Sequence, residues 1–214
     1  MTSRNFVLIQ LLILLILLVP ARAAEFTYEQ VAAINPFPEG YSYLSRTEKL
    51  RWLENEVSKP QSALKTYVLT RQLAIDLTNH ARRAEAAEYC NRTPPLVADY
   101  EYRGHCLLAS ISDASELELA MFRVTGLAER NGHLDDKAYL LNRLAWWMSQ
   151  TGEIARAFAY YEEALASVPN ENKQLLNKIM FDSATNYIAH GDEQYINRGI
   201  NLMEKFRESR QQEL

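Results

Sequence analysis

Four histidines, two cysteines and three tryptophans are the side chains of this 214-residue sequence best equipped for chemistry, and their spacing decides which chemistry is open to them. His80, His105, His133 and His190 are far apart, and three of them fall near expected helix ends, where an imidazole serves the helix dipole. His133 precedes Asp135 and Asp136 but directly follows Asn131-Gly132, so a capping role accounts for the trio better than metal ligation. No H-E-x-x-H, C-x-x-C, G-x-S-x-G or phosphate-cradling glycine loop occurs. These patterns predict a non-catalytic chain with no cofactor and no metal.

The start of the chain carries a different kind of message. Arg4 is followed by an apolar run from Phe6 to Val19, broken only by Gln10, and then by Pro20-Ala-Arg-Ala23-Ala. A basic start, a short apolar segment and a small-x-small site make a secretory signal, with cleavage expected after Ala23. The apolar run falls short of the ~20 residues of a comfortable span, so contact with a membrane is expected only through the leader, were it left uncleaved. Removing residues 1–23 takes Arg4 and Arg22 and no acid, which leaves 21 basic against 27 acidic side chains. With its cations scattered, such a chain is not built for nucleic acid, whose phosphates require a basic face. The expected location is the periplasm.

The elements that must position any site are helices. Only 7 Gly and 7 Pro occur, Ala, Leu, Glu and Arg are abundant, and no alternating β-branched run competes for strand status. Residues 24–44 form a lead-in segment with a short helical stretch at about Tyr28 to Ile34, stopped by Asn35-Pro-Phe-Pro. Ser45-Arg-Thr-Glu48 is a capping box that opens a helix ending near Ser58. Pro60 is expected to occupy the first position of the next helix, which runs to Thr78 and pairs with Ala81 to Cys90. Further pairs follow: about Leu96 to Ser112 with Ser115 to Asn131, Asp135 to Thr151 with Ile154 to Val168, and Lys173 to His190 with Glu193 onward.

One unit is especially regular. Ala138 to Glu171 reads AYLLNRLAWWMSQTGEIARAFAYYEEALASVPNE, with Leu144-Ala145 at a close-packed point, Gly152 at the turn, Ala157 at the helix crossing, Tyr161 and Ala164 in the core, and Pro169 closing the unit. Small residues at 145 and 157 let two backbones approach, and Gly152 can take the positive φ that ends the first helix. This unit resembles the tetratricopeptide repeat. Shifting back 37 residues brings Leu107-Leu108 and Ala120 into register, and a further 34 brings Leu73-Ala74 and Ala86. Shifting forward 39 brings Ala184 under Ala145 and Gly191 under Gly152, and the last second helix needs about three inserted residues. The resemblance implies an all-α fold of antiparallel helix hairpins, a tetratricopeptide-like solenoid over residues 45–214.

The same resemblance implies a concave face lined by first helices that receives a partner protein or peptide. Its outward positions are Tyr102 and His105, then Tyr139, Asn142 and Trp146, then Lys178 and Phe181. Trp146 and Trp147 are adjacent, so one of them must be core. In the repeat frame Cys90 sits on a second helix and Cys106 on the first helix that follows, which are packing neighbours, and an exported protein can oxidise them to a disulfide. An alternative is that leader plus degenerate repeats resembles the sensory region of membrane-bound diguanylate cyclases of the GGDEF type, whose catalytic motif this sequence lacks.

Overall fold

A computed structural model describes residues 26–169 and 171–211, so the expected leader lies outside the described residues. Those residues form ten α-helices and no strand: α1 (Tyr28–Ala33), α2 (Arg46–Val57), α3 (Ala63–Asn79), α4 (Arg83–Arg92), α5 (Tyr100–Ser110), α6 (Ala114–Arg130), α7 (Leu134–Gln150), α8 (Ile154–Ser167), α9 (Lys173–His190) and α10 (Glu193–Gln211). Among them, no helix is long and apolar enough to cross a membrane.

Helix starts follow local chemistry. Ser45 accepts from the backbone N–H of Glu48 at 3.3 Å while the Glu48 carboxylate accepts from the Ser45 N–H at 2.8 Å. Thr27 and Gln30 repeat that box at α1. Pro60 is not the first residue of α3: the helix opens at Ala63, because Ser62 offers the oxygen that caps the Lys65 N–H. The start of α5 also falls later than the sequence reading, at Tyr100, where Asp99 caps the Tyr102 N–H.

Three of the helix turns share one geometry. Ala81, Gly132 and Gly152 have φ of 60°, 79° and 87°. The next residue in each turn donates its N–H five residues back, from Arg82 to Leu77, His133 to Ala128 and Glu153 to Met148, each at 2.9 Å. Gly191 departs from its expected equivalence with Gly152, since its φ is −81° and the helix ends in extended backbone.

Each of α3, α5, α7 and α9 packs on the next in that series and on its own following helix, and α1 and α2 pack on α3. Ala145 and Ala157 are fully buried where α7 and α8 cross. At the α9–α10 crossing a Cβ on Gly199 would stand 2.9 Å from the Ala184 carbonyl oxygen, so only glycine permits that approach. The α7 core residues Leu140, Leu144, Trp147 and Met148 interlock with Leu117, Met121 and Val124 of α6, giving the largest apolar cluster. Cys90 of α4 and Cys106 of α5 form a disulfide, with Cα atoms 5.7 Å apart.

Candidate functional site

Residues of α2, α3, α7 and α9 enclose a central cavity of about 400 Å³ between them. Tyr139, Arg143 and Trp146 reach it from successive turns of α7, as the i, i+4, i+7 spacing requires. Opposite them stand Asp76 and His80 of α3, Lys178 and Asp182 of α9, and Arg46 and Lys49 from the first turn of α2.

The balance of charge here is cationic, with Arg46, Lys49, Arg143 and Lys178 against Asp76 and Asp182. Both carboxylates are already engaged. Asp182 accepts from Asn142 Nδ2 at 2.7 Å and from Lys178 Nζ at 2.9 Å. Asp76 accepts from Gln72 at 3.1 Å, and burial raises its pKa, so its negative charge is disfavoured. Lys49 donates to the Ser42 carbonyl at 3.0 Å and its ammonium lies over the Tyr41 ring.

Arg143 differs from its neighbours. Only 9% exposed, it makes no ion pair among the described residues, and its Nε has no hydrogen-bond partner. Its guanidinium lies over Trp146, whose ring centroid is 4.9 Å from the guanidinium carbon. A buried cation left unpaired costs the fold several kcal/mol, roughly, after relaxation. The fold therefore sets a positive charge, without an ion pair among the described residues, at the wall of a cavity.

Arg143 and Trp146 also line a second cavity of about 270 Å³, whose apolar wall comes from Leu108 and Trp147. Arg83 stands at its edge, 5.6 Å from the Trp147 ring, and donates to the Ile111 carbonyl at 2.6 Å. On the other side of Tyr139 lies a third cavity, of about 340 Å³, bordered by Glu101, Asp135 and Asp136. Burial, reinforced by the charge of Glu101 and opposed by His133, pushes the Asp136 carboxyl up to about 6.

The sequence-predicted residues divide. Tyr139 and Trp146 line the central cavity, and Trp147 is the core member of the tryptophan pair at 6% exposure. Asn142 is fully buried beneath the wall, where it holds Asp182 with one amide atom and leaves Oδ1 unpartnered. His105 is also fully buried, its Nε2 2.9 Å from the Tyr139 hydroxyl. Burial, then the positive charges of Arg143, Arg71 and Lys178, hold this imidazole well below its ordinary pKa and so neutral. Tyr102 does not line any of these cavities. It is buried against Tyr67, with its hydroxyl donating to the Thr93 carbonyl at 2.9 Å, because α3 and α7 cover α5 from both sides. Phe181 is exposed and packs on Phe206 of α10 rather than into the cavity.

Sequence reasoning missed Arg46, Lys49, Asp76 and His80. Nothing local in Ser45-Arg-Thr-Glu48-Lys reveals that this turn lines a cavity together with residues of α7 and α9. His80 was assigned a helix-end role; it does end α3, its Nδ1 lying 2.6 Å from the Asp76 carbonyl oxygen, yet its ring also faces the cavity. Among the described residues no group of His, Cys, Asp and Glu could hold a metal ion. No protein-family model, curated protein or solved structure matches the chain.

Proposed function

We propose that this chain is an exported, non-catalytic binding module: a tetratricopeptide-like stack of helix hairpins that receives a partner protein or peptide on the face made by α3, α5, α7 and α9. The observation that carries the reading is Arg143, a buried cation without an ion-pair partner among the described residues, at the wall of the central cavity beside Trp146. A fold gains no stability from such a group, so its presence there is best accounted for by a ligand.

Several features support the architecture and the location. Alternate helices stack in series, and small residues recur at the α7–α8 and α9–α10 crossings. Gly199 stands where the repeat frame, with three residues inserted, puts the counterpart of Ala157. The Cys90–Cys106 disulfide suits an oxidising compartment, and Arg4 through Ala23 reads as the export signal.

The test compares capture from a periplasmic extract by wild type and by Trp146→Ala with Lys178→Ala. Both positions line the cavity and are partly exposed, so the double variant is expected to fold. Partners held by wild type and lost by the variant support the reading, and identical partner sets overturn it. Mass measurement of the exported protein is expected to place its first residue at Ala24.

A further inference from the structure

We infer that the central cavity binds an organic oxyanion, a carboxylate or phosphate ester carried on an aromatic body, with the charged head on Arg143 and the ring against Trp146. This deepens the binding reading above and rests on it.

The head group follows from what is and is not paired. Of the four cations that line the cavity, Arg46 is exposed to solvent, Lys178 is held by Asp182 and Lys49 by the Ser42 carbonyl, whereas Arg143 is buried and has only the face of Trp146. The guanidinium carbon lies 4.9 Å from the Trp146 ring centroid, and since Arg143 makes no ion pair among the described residues its terminal nitrogens stay available to donate. That fork matches two oxygens of one carboxylate or phosphate. A cationic ligand is disfavoured because neither carboxylate is free: Asp182 holds Asn142 and Lys178, and Asp76 is buried and hydrogen-bonded to Gln72.

The body follows from the walls. Tyr139 and Trp146 are the aromatic surfaces of the cavity, and Trp146 with Arg143 also borders the smaller space closed by Leu108 and Trp147. Nothing comparable surrounds Arg71, the partly buried arginine of α3, which is closed off by Asp99 and Glu101. An inorganic ion would satisfy Arg143 but leave the aromatic walls unused, so the inference requires organic oxyanions to bind more tightly than inorganic phosphate.

The full exported chain is titrated by calorimetry with phenylacetate, phenyl phosphate, inorganic phosphate and phenylacetamide, each to about 10 mM, the range in which weak ligands register. Phenylacetate or phenyl phosphate is expected to bind, the amide to bind at least ~10-fold more weakly, and Arg143→Gln to lose at least ~10-fold in affinity for the acids, as removal of a charge-assisted pair predicts. Which of the two acids binds more tightly identifies the head group. Trp146→Leu is expected to weaken the aromatic acids while leaving inorganic phosphate unchanged. Equal binding of acid and amide, undiminished binding to Arg143→Gln, or no binding of either acid overturns the inference. Loss of protein partners on Trp146→Ala with Lys178→Ala, alongside failure of the acids, would sink only the oxyanion claim. Identical partner sets with acid binding retained would instead sink the partner claim.

Discussion

Two arginines on the first helices, the partly buried Arg71 on α3 and the buried Arg143 on α7, are treated by the fold in opposite ways. Arg71 donates from Nε to Asp99 at 2.8 Å and pairs with Glu101, while Asp99 also accepts from the Tyr67 hydroxyl at 3.0 Å and caps α5. No polar side-chain atom of Arg71, Asp99 or Glu101 is buried without a partner, and the same region is tied by the Cys90–Cys106 disulfide. Arg143 has an aromatic ring, a cavity and an unused Nε. The difference separates a charge that organises helices from one kept available for something else, since only a satisfied buried charge is neutral or favourable to the fold.

Replacing each arginine by methionine breaks the comparison most directly. Arg71→Met strands Asp99, which has no exposed surface, and is expected to lower unfolding free energy by about 3–5 kcal/mol. Arg143→Met removes a charge that has no counterion, and stability is expected to stay level or rise by about 1 kcal/mol. Urea unfolding of both variants beside wild type measures this. Equal losses would mean that Arg143 is structural, and the functional argument would fail with it.

The disulfide ranks next. It closes a short loop between α4 and α5, with the cysteines 16 residues apart, and its removal as Cys90→Ala with Cys106→Ala is expected to cost about 3 kcal/mol. Loss of the same size on adding reductant to wild type, and none on adding it to the double variant, would assign the effect to the bond. Because the Arg143 cavity is built by α2, α3, α7 and α9, none of which carries a cysteine, calorimetric binding of phenylacetate to the reduced, still folded protein is expected to be unchanged.

Asp136 sits between the two regions, near Glu101 on one side and His133 on the other, and gives the comparison a pH dependence. Its folded pKa of about 6 lies above the ~3.9 of an unfolded aspartate, so the native state binds the proton more tightly. Its contribution to stability therefore falls as pH rises from about 4 through 6, and the cost is fully present above that. Asp136→Asn is expected to be more stable than wild type at pH 7.5 and nearly equal to it near pH 4, which thermal melts at the two pH values can check. A constant difference across that range would show that burial does not disfavour this carboxylate.

The helices were legible because their punctuation is local: Ser45 with Glu48, Gly152 and Pro169 each act within a few residues of their own position. So were the crossings at Ala145 and Ala157, because small residues at that spacing have few other uses. The site was only half legible. Trp146 and Tyr139 could be placed by helical periodicity, but that rule put Tyr102 on an open face, and burial by flanking helices is not a property of one helix. Arg143 was legible only as a cation beside Asn142 on α7. Its significance lies in the absence of a partner, and the partner that Arg71 has, Asp99, is 28 residues from it in sequence.

The smallest effect examines the turns that hold the two regions in register. Ala81 occupies the position that Gly152 holds two pairs later and has the only positive φ of any non-glycine residue described, 60°. An L-residue with a Cβ is strained there by about 1–2 kcal/mol, whereas glycine is not. Glycine also gains more freedom in the unfolded chain, which offsets part of the relief by up to ~1 kcal/mol. Ala81→Gly is therefore expected to raise stability by about 0.5–1 kcal/mol, the net of those terms. The reverse change at the equivalent turn, Gly152→Ala, imposes the same strain without any space limit, since no atom lies within 4 Å of where its Cβ would go, and is expected to lower stability by a similar amount. Opposite signs at the two turns would show that they share one backbone requirement, and a loss at Ala81→Gly would show that its methyl group has a packing role outweighing the strain.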